Sequence, residues 1–218
     1  KDREDVCLLM HTQPIDKNGT DLKAVAEQIA PDCNIIFSDK RIQNFELSYL
    51  YNLGDVTINI AGNEGFGLGT AESVMTETPI IVNVTGGLQD QCGFQRKVGD
   101  KWVEFTADDY IEIESLHSKE KWETEVRWGS WVKPIWSASQ TIIGSVPTPY
   151  IIDDKVNVYD VADAIKYWYD MPKKDREKAG KEGRDWMLGT GGLNHINMAT
   201  RMVESIETTI ENFQPKST

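Results

Sequence analysis

The chain of 218 residues is 39% hydrophobic and 27% charged, the balance of a globular protein with a buried core. A formal net charge of −12 argues against a nucleic-acid or anionic-membrane partner, since both want a basic patch, but leaves room for a local basic pocket. No apolar run approaches the roughly 20 residues of a membrane span. The three cysteines, Cys7, Cys33 and Cys92, lack metal-ligand spacing, and the charged start at Lys1 to Asp5 is no signal peptide, all of which reads as a cytoplasmic protein.

In chain order, Val6 to Met10 reads as a buried strand, followed by a polar loop from His11 to Thr20. Leu22, Val25, Ala26 and Ile29 recur at helical spacing and predict a helix over Asp21 to Ile29. Asn34 to Ser38 is a second strand, and Asn44 to Tyr51 a short helix with Phe45, Leu47, Leu50 and Tyr51 on its apolar side. Val56, Ile58 and Ile60 then alternate with Thr57 and Asn59, a strand signature. Glycines follow at Gly65, Gly67 and Gly69, Thr70 reads as the N-cap of a helix over Ala71 to Glu77, and Pro79 stops that helix. Ile80 to Val84 is the next strand. Strands alternating with helices on short links predict a parallel sheet in a doubly wound α/β fold.

Residues 88–147 break the rhythm and read as an insertion. Five of the seven tryptophans fall there: Trp102, Trp122, Trp128, Trp131 and Trp136. They are expected as local core, with a sugar-stacking or partner face as the alternative. A helix is predicted near Asp109 to Trp122, and irregular chain through Val132 to Trp136. Thr148 to Asp153 reads as the last strand, with closing helices over 157–213. The first of these is capped by Asn157 and buries Val158, Val161, Ala162, Ile165, Trp168 and Tyr169. A charged helix runs from Lys173 to Leu188, and a final one, capped by Asn194, carries Ala199, Met202, Val203, Ile206, Ile210 and Phe213 at helical spacing.

The chemistry concentrates at the glycine loop. Glycines let backbone N–H groups approach a ligand, and a helix N-terminus adds uncommitted N–H groups and partial positive charge. Together they suit a phosphate or diphosphate. Glu64 and Glu72 bracket this loop. A carboxylate beside an anion site makes sense where it accepts hydrogen bonds from neighbouring hydroxyls, which points to a nucleotide sugar. The bland alternatives are a tight turn for the glycines, a dipole-favoured first-turn position for Glu72 and a strand-end turn for Gly86 and Gly87.

Glu64-Gly65-Phe66-Gly67-Leu68 followed by Glu72 resembles the E-x7-E element of retaining glycosyltransferases of the GT-B fold, the glycosyltransferase family 4, group 1 type. Leu50 to Val56, Thr78 to Ile81 and Gly86-Gly87-Leu88 resemble the adjoining elements of that family in the same order. The resemblance is specific over residues 47–88, general over 6–46 and 148–213, and absent over the insertion. It implies a Rossmann-like donor-binding domain spanning 1–218, the second domain of such an enzyme, with the N-terminal acceptor domain absent and the fragment inactive alone. The implied reaction moves a sugar from a nucleoside diphosphate to a saccharide, lipid or protein acceptor with retention, without cofactor or metal. Glu64 and Phe66 would contact the donor sugar, Gly67, Leu68 and Gly69 the diphosphate, and Glu72 the ribose. Arg41 and Ile42 would lie near the base and Gly86 and Gly87 in the pocket wall. No catalytic base is assigned. His11 is expected as a polar loop residue, and Asp108-Asp109 and Asp153-Asp154 as surface acids. The rival functions are a sugar-nucleotide epimerase or phosphorylase on the same architecture, a dinucleotide oxidoreductase, and a non-catalytic carbohydrate-binding or scaffold protein.

Overall fold

A computed structural model describes residues 5–17, 19–106, 108–109, 125–144, 146–189 and 192–214. The chain is an α/β protein that divides into two compact units, Lys1–Leu50 and Tyr51–Thr218.

The first unit carries β1 (Leu8–His11), α1 (Leu22–Ile29) and β2 (Ile35–Ser38). β1 and β2 pair in parallel, from Leu8 opposite Ile35 to His11 opposite Ser38. Asp21 caps α1, accepting hydrogen bonds from the Lys23 and Ala24 N–H groups. The division between the units falls within α2 (Asn44–Leu53).

The second unit is built on a parallel three-stranded sheet in the order β3 (Thr57–Asn59), β4 (Ile80–Asn83), β8 (Val132–Ile135). α3 (Leu68–Met75) connects β3 to β4. β4 is central and every residue in it is buried, so Ile80 to Val82 read as a continuous apolar run rather than an alternation. Successive side chains still leave on opposite faces. Ile80 and Val82 pack with Ala71, Val74, Leu88, Trp131 and Met187, whereas Ile81 packs with Ile135, Ala164, Trp168 and Ala179. Full burial of such a side chain is worth roughly 1.5–3 kcal/mol, so β4 anchors the unit from both sides.

Gly86–Cys92 forms a 3-10 helix after β4. An antiparallel sheet follows, with β5 (Gln95–Val98) between β6 (Lys101–Glu104) and β7 (Val126–Arg127). β9 (Ser139–Ile143) and β10 (Ile151–Lys155) form an antiparallel pair. α4 (Val158–Asp170), α5 (Lys173–Leu188) and α6 (His195–Asn212) close the chain, with Asn157 and Asn194 capping α4 and α6 as predicted. No helix among the described residues is long and apolar enough to cross a membrane.

Several sequence expectations are corrected. The insertion expected over 88–147 contains β8, a strand of the parallel sheet, where irregular chain was predicted. The Trp131 carbonyl accepts from the Ile80 N–H at 2.8 Å, and Val132, Pro134 and Ile135 are buried against the core. Pro134 is tolerated because β8 is an outer strand of the three and need not donate on its far side. The strand at the end of the excursion is β10, which pairs antiparallel with β9 instead of extending the parallel sheet.

α3 begins at Leu68, with Gly67 and not Thr70 at the N-cap. It ends in a double closure: the Thr78 N–H reaches the Ser73 carbonyl and the Glu77 N–H the Val74 carbonyl. Glu77 occupies the left-handed position there at φ 66°, before Pro79 is reached. In α4 the buried residues are Ala164 and Trp168, while Val158 stands 72% exposed. No described residue of α6 is buried, so its apolar stripe is open.

The tryptophan expectation of local core agrees with the packing. Trp131 is buried and stacked on Trp186 at 5.0 Å, and Trp136 stacks on Phe94 at 5.4 Å. Trp128 packs on the same cluster, and Trp102 lies under the Arg127 guanidinium at 4.6 Å. The helix predicted near Asp109 to Trp122 lies outside the described residues apart from its start.

Candidate functional site

The segment between β3 and α3 lies at the carboxyl ends of the parallel strands, and the carbonyls of Ala61, Gly62, Glu64, Phe66 and Gly67 accept hydrogen bonds from the protein. Asn83 Nδ2 donates to the Ala61 carbonyl at 3.0 Å. The Asp154 N–H donates to Gly62 O at 2.8 Å, and the Gly87 N–H to Glu64 O at 2.9 Å. Gln91 Nε2 donates to the Phe66 carbonyl and, at 3.0 Å, to that of Gly67. Gly67 O also accepts from the Thr70 hydroxyl at 2.9 Å and the Ala71 N–H at 3.1 Å.

The N–H groups show the opposite pattern. From Glu64 through Thr70 none donates to another described residue. The run crosses the start of α3, where the first N–H groups of any helix lack intrahelical partners and the dipole favours negative charge. No side chain caps this end. A succession of uncommitted N–H groups around a helix start is a cradle for an anion.

Close contacts explain why glycine is needed at three positions here. Gly67 sits at φ +84°, and a Cβ on it would meet Leu88 Cδ2 at 2.4 Å and Thr70 Oγ1 at 2.8 Å. Gly86 and Gly87 press against the loop backbone: a Cβ on Gly86 would lie 2.1 Å from Glu64 O, and one on Gly87 2.4 Å from Gly65 O. The structure therefore brings Gly86 and Gly87 directly under Glu64 to Phe66. Gly65 differs, since nothing lies within 4 Å of a Cβ there.

Glu64 is half-buried, and no hydrogen bond or ion pair joins its carboxylate to another described residue. Glu72 is exposed and accepts from the Tyr51 hydroxyl at 2.9 Å. Burial, then this hydrogen bond and the charge of Glu72, push the Tyr51 hydroxyl well above its ordinary range, so it stays a donor. Because α3 starts at Leu68, Glu72 lies beyond the first turn, which holds no acidic residue. The first-turn explanation of Glu72 therefore fails. Phe66 is 39% exposed and Leu68 69%, both at the open side of the loop.

Arg41 and Ile42 lie in the first unit, between β2 and α2. His11 is in that unit too, its Nδ1 hydrogen-bonded to the Ser38 hydroxyl at 3.0 Å. Of the acidic pairs, Asp109 is buried and holds Arg96 at 2.7 Å. Asp153 is also buried and pairs with Lys155. Asp154 accepts from Thr85 at 2.7 Å and from Gln140 at 2.9 Å. These four contacts give Asp109, Asp153 and Asp154 structural partners, which corrects their expectation as plain surface acids.

Sequence reasoning missed Asn83 and Gln91, whose amides hold the loop, and read Asp154 and Tyr51 in other roles than holding Gly62 O and Glu72. A side-chain amide carries no pattern in a sequence, and Asn83 and Gln91 meet the loop across more than twenty residues of chain. No protein-family profile matches this chain, and no curated protein sequence matches it.

Proposed function

We propose that the second unit binds the nucleoside diphosphate of a sugar donor, as the donor-binding domain of a retaining glycosyltransferase of the GT-B type. The observation that carries this reading is the unpartnered N–H run from Glu64 to Thr70, flanked by the carboxylates of Glu64 and Glu72. In it the parallel strands and the helices on both faces of β4 belong to a Rossmann-like doubly wound sheet. A ligand then sits beyond the carboxyl ends of the strands.

The N–H groups of Gly67, Leu68 and Gly69 would receive the diphosphate, and Glu64 and Phe66 would face the sugar. One Glu72 oxygen is taken by the Tyr51 hydroxyl, and the other is open to a ribose hydroxyl. Arg41 and Ile42, in the first unit, carry no part of this reading. N–H dipoles fixed before the ligand arrives stabilise charge that builds on the departing diphosphate, and the site otherwise acts by positioning. The acceptor and a cytoplasmic location belong to the same proposal.

Calorimetric titration of UDP-glucose, GDP-mannose and NAD tests it. A nucleotide sugar should bind more tightly than NAD. Glu72→Ala removes a charge-assisted hydrogen bond worth about 1.5–3 kcal/mol and should weaken that affinity roughly 10- to 100-fold. Tighter binding of NAD, or no binding of either class, would refute the reading.

A further inference from the structure

We propose that Gln91 is the positioning residue of the N–H cradle: its buried carboxamide aims the Gly67 and Leu68 N–H groups at a bound diphosphate. The inference rests on the diphosphate reading above. Gln91 Nε2 donates to two consecutive carbonyls, those of Phe66 and Gly67. A trans peptide is planar, with its C=O and the following N–H pointing in opposite directions. Drawing the Phe66 carbonyl inward therefore turns the Gly67 N–H outward, and drawing the Gly67 carbonyl inward does the same to the Leu68 N–H. Both N–H groups belong to the unpartnered run.

Packing does not account for an amide at this position. Gln91 is 0% exposed, and its Oε1 meets no donor among the described residues. A buried polar atom without a partner is unfavourable, and methionine would occupy similar space without one. What methionine lacks is the pair of N–H donors on one nitrogen that holds two carbonyls. Space is also kept for that nitrogen, since a Cβ on Gly67 would stand 3.1 Å from it.

The test compares the unsubstituted chain with Gln91→Met and Gln91→Glu, the second keeping the shape with a buried acid that offers at most one O–H and so cannot hold both carbonyls. The probes are UDP and GDP beside uridine and guanosine. The expected result is a roughly tenfold loss for whichever diphosphate binds, the loss of about one charge-assisted hydrogen bond. The affinity for the matching nucleoside stays unchanged, and the Gly67 and Leu68 amide resonances shift. Equal losses for diphosphate and nucleoside, or no loss for either, would overturn the role of Gln91 while leaving the diphosphate reading intact. Unfolding of both variants would also overturn it, because the amide would then belong to the scaffold. If the unsubstituted chain binds neither diphosphate, the diphosphate reading itself fails, and the role of Gln91 with it.

Discussion

Gly67→Ala separates a glycine that the fold requires from glycines that merely fall nearby. Its φ of +84° is left-handed, which costs an L residue about 1–2 kcal/mol. The added Cβ would stand 2.4 Å from Leu88 Cδ2 and 2.8 Å from Thr70 Oγ1. Leu88 is fully buried and cannot swing away, so overpacking adds roughly 1–3 kcal/mol. The sum is about 2–5 kcal/mol. For a chain of this size it lowers the thermal midpoint by roughly 4–20 °C. Gly65→Ala is the matched control: nothing lies within 4 Å of its Cβ and its φ is not positive. It should change stability by less than about 0.5 kcal/mol. All seven tryptophans follow residue 100, so intrinsic fluorescence during melting reports the second unit alone. Equal effects of the two substitutions, or a Gly67→Ala midpoint within about 1 °C of the unsubstituted chain, would refute the assignment of Gly67 as the structural cap.

Other outcomes follow from single contacts. Arg176 Nη1 donates to the Trp168 carbonyl at 3.2 Å and to that of Met171, while its Nη2 reaches Asp55, which is 72% exposed. Arg176→Ala should cost about 2 kcal/mol in a urea melt and Asp55→Ala under about 1 kcal/mol, because the carbonyl contacts matter more than an exposed ion pair. Burial would raise the Asp109 carboxyl, but the Thr106 N–H and hydroxyl and the Arg96 guanidinium outweigh it and hold the group below its ordinary 3.8. A depressed carboxyl contributes stability that is present above the ordinary value and lost as pH falls through the folded-state value. Asp109→Asn should therefore lower stability at pH 7 and flatten the loss below about pH 4 in acid titrations followed by fluorescence. Cys92 is fully buried and burial pushes its thiol up, whereas Cys7 and Cys33 are exposed. Iodoacetamide on the folded chain should modify Cys7 and Cys33 and spare Cys92, read by peptide mass spectrometry.

The sequence was most legible where one local property decided the outcome. Ile80 to Val82 form an unbroken β-branched run, and the strand they predict is the buried centre of its sheet. Asn157 and Asn194 cap helices because a short polar side chain can reach a nearby N–H. Thr70 is the same chemical type, yet it sits inside α3, its hydroxyl turned to Gly67 O. The true cap is set by the packing of Gly67 against Leu88 and Gln91, contacts from a later segment. Val132 to Ile135 was illegible for a related reason. Lys133 and Pro134 spoil the strand pattern, and only pairing with β4, about fifty residues earlier, makes it one. At the site, the spacing of Glu64, Gly67 and Glu72 pointed to an anion flanked by hydroxyls. The amides that hold the loop were invisible because their partners are backbone carbonyls, which every residue has.

That arrangement bears on how so acidic a chain could hold a diphosphate at all. At −12 its long-range field opposes an anion, and the screening length of about 8 Å in physiological salt removes only part of that opposition. Attraction has to come from groups acting at hydrogen-bond range, and no basic side chain enters the run from Glu64 to Thr70. Backbone N–H groups serve this purpose only if they need not be reoriented when the ligand arrives. Here the reverse side of the loop is held from three segments: Asn83 at the end of β4, Gly87 and Gln91 in the 3-10 helix, and Asp154 in β10. The conformation is thus fixed by tertiary hydrogen bonds before any ligand is present, and little ordering entropy opposes binding. Under the proposed function the same fixing would give Glu64 and Glu72 a use: with the N–H groups facing an anion between them, carboxylates at either end would favour a ligand that carries hydroxyls on both sides of its phosphates.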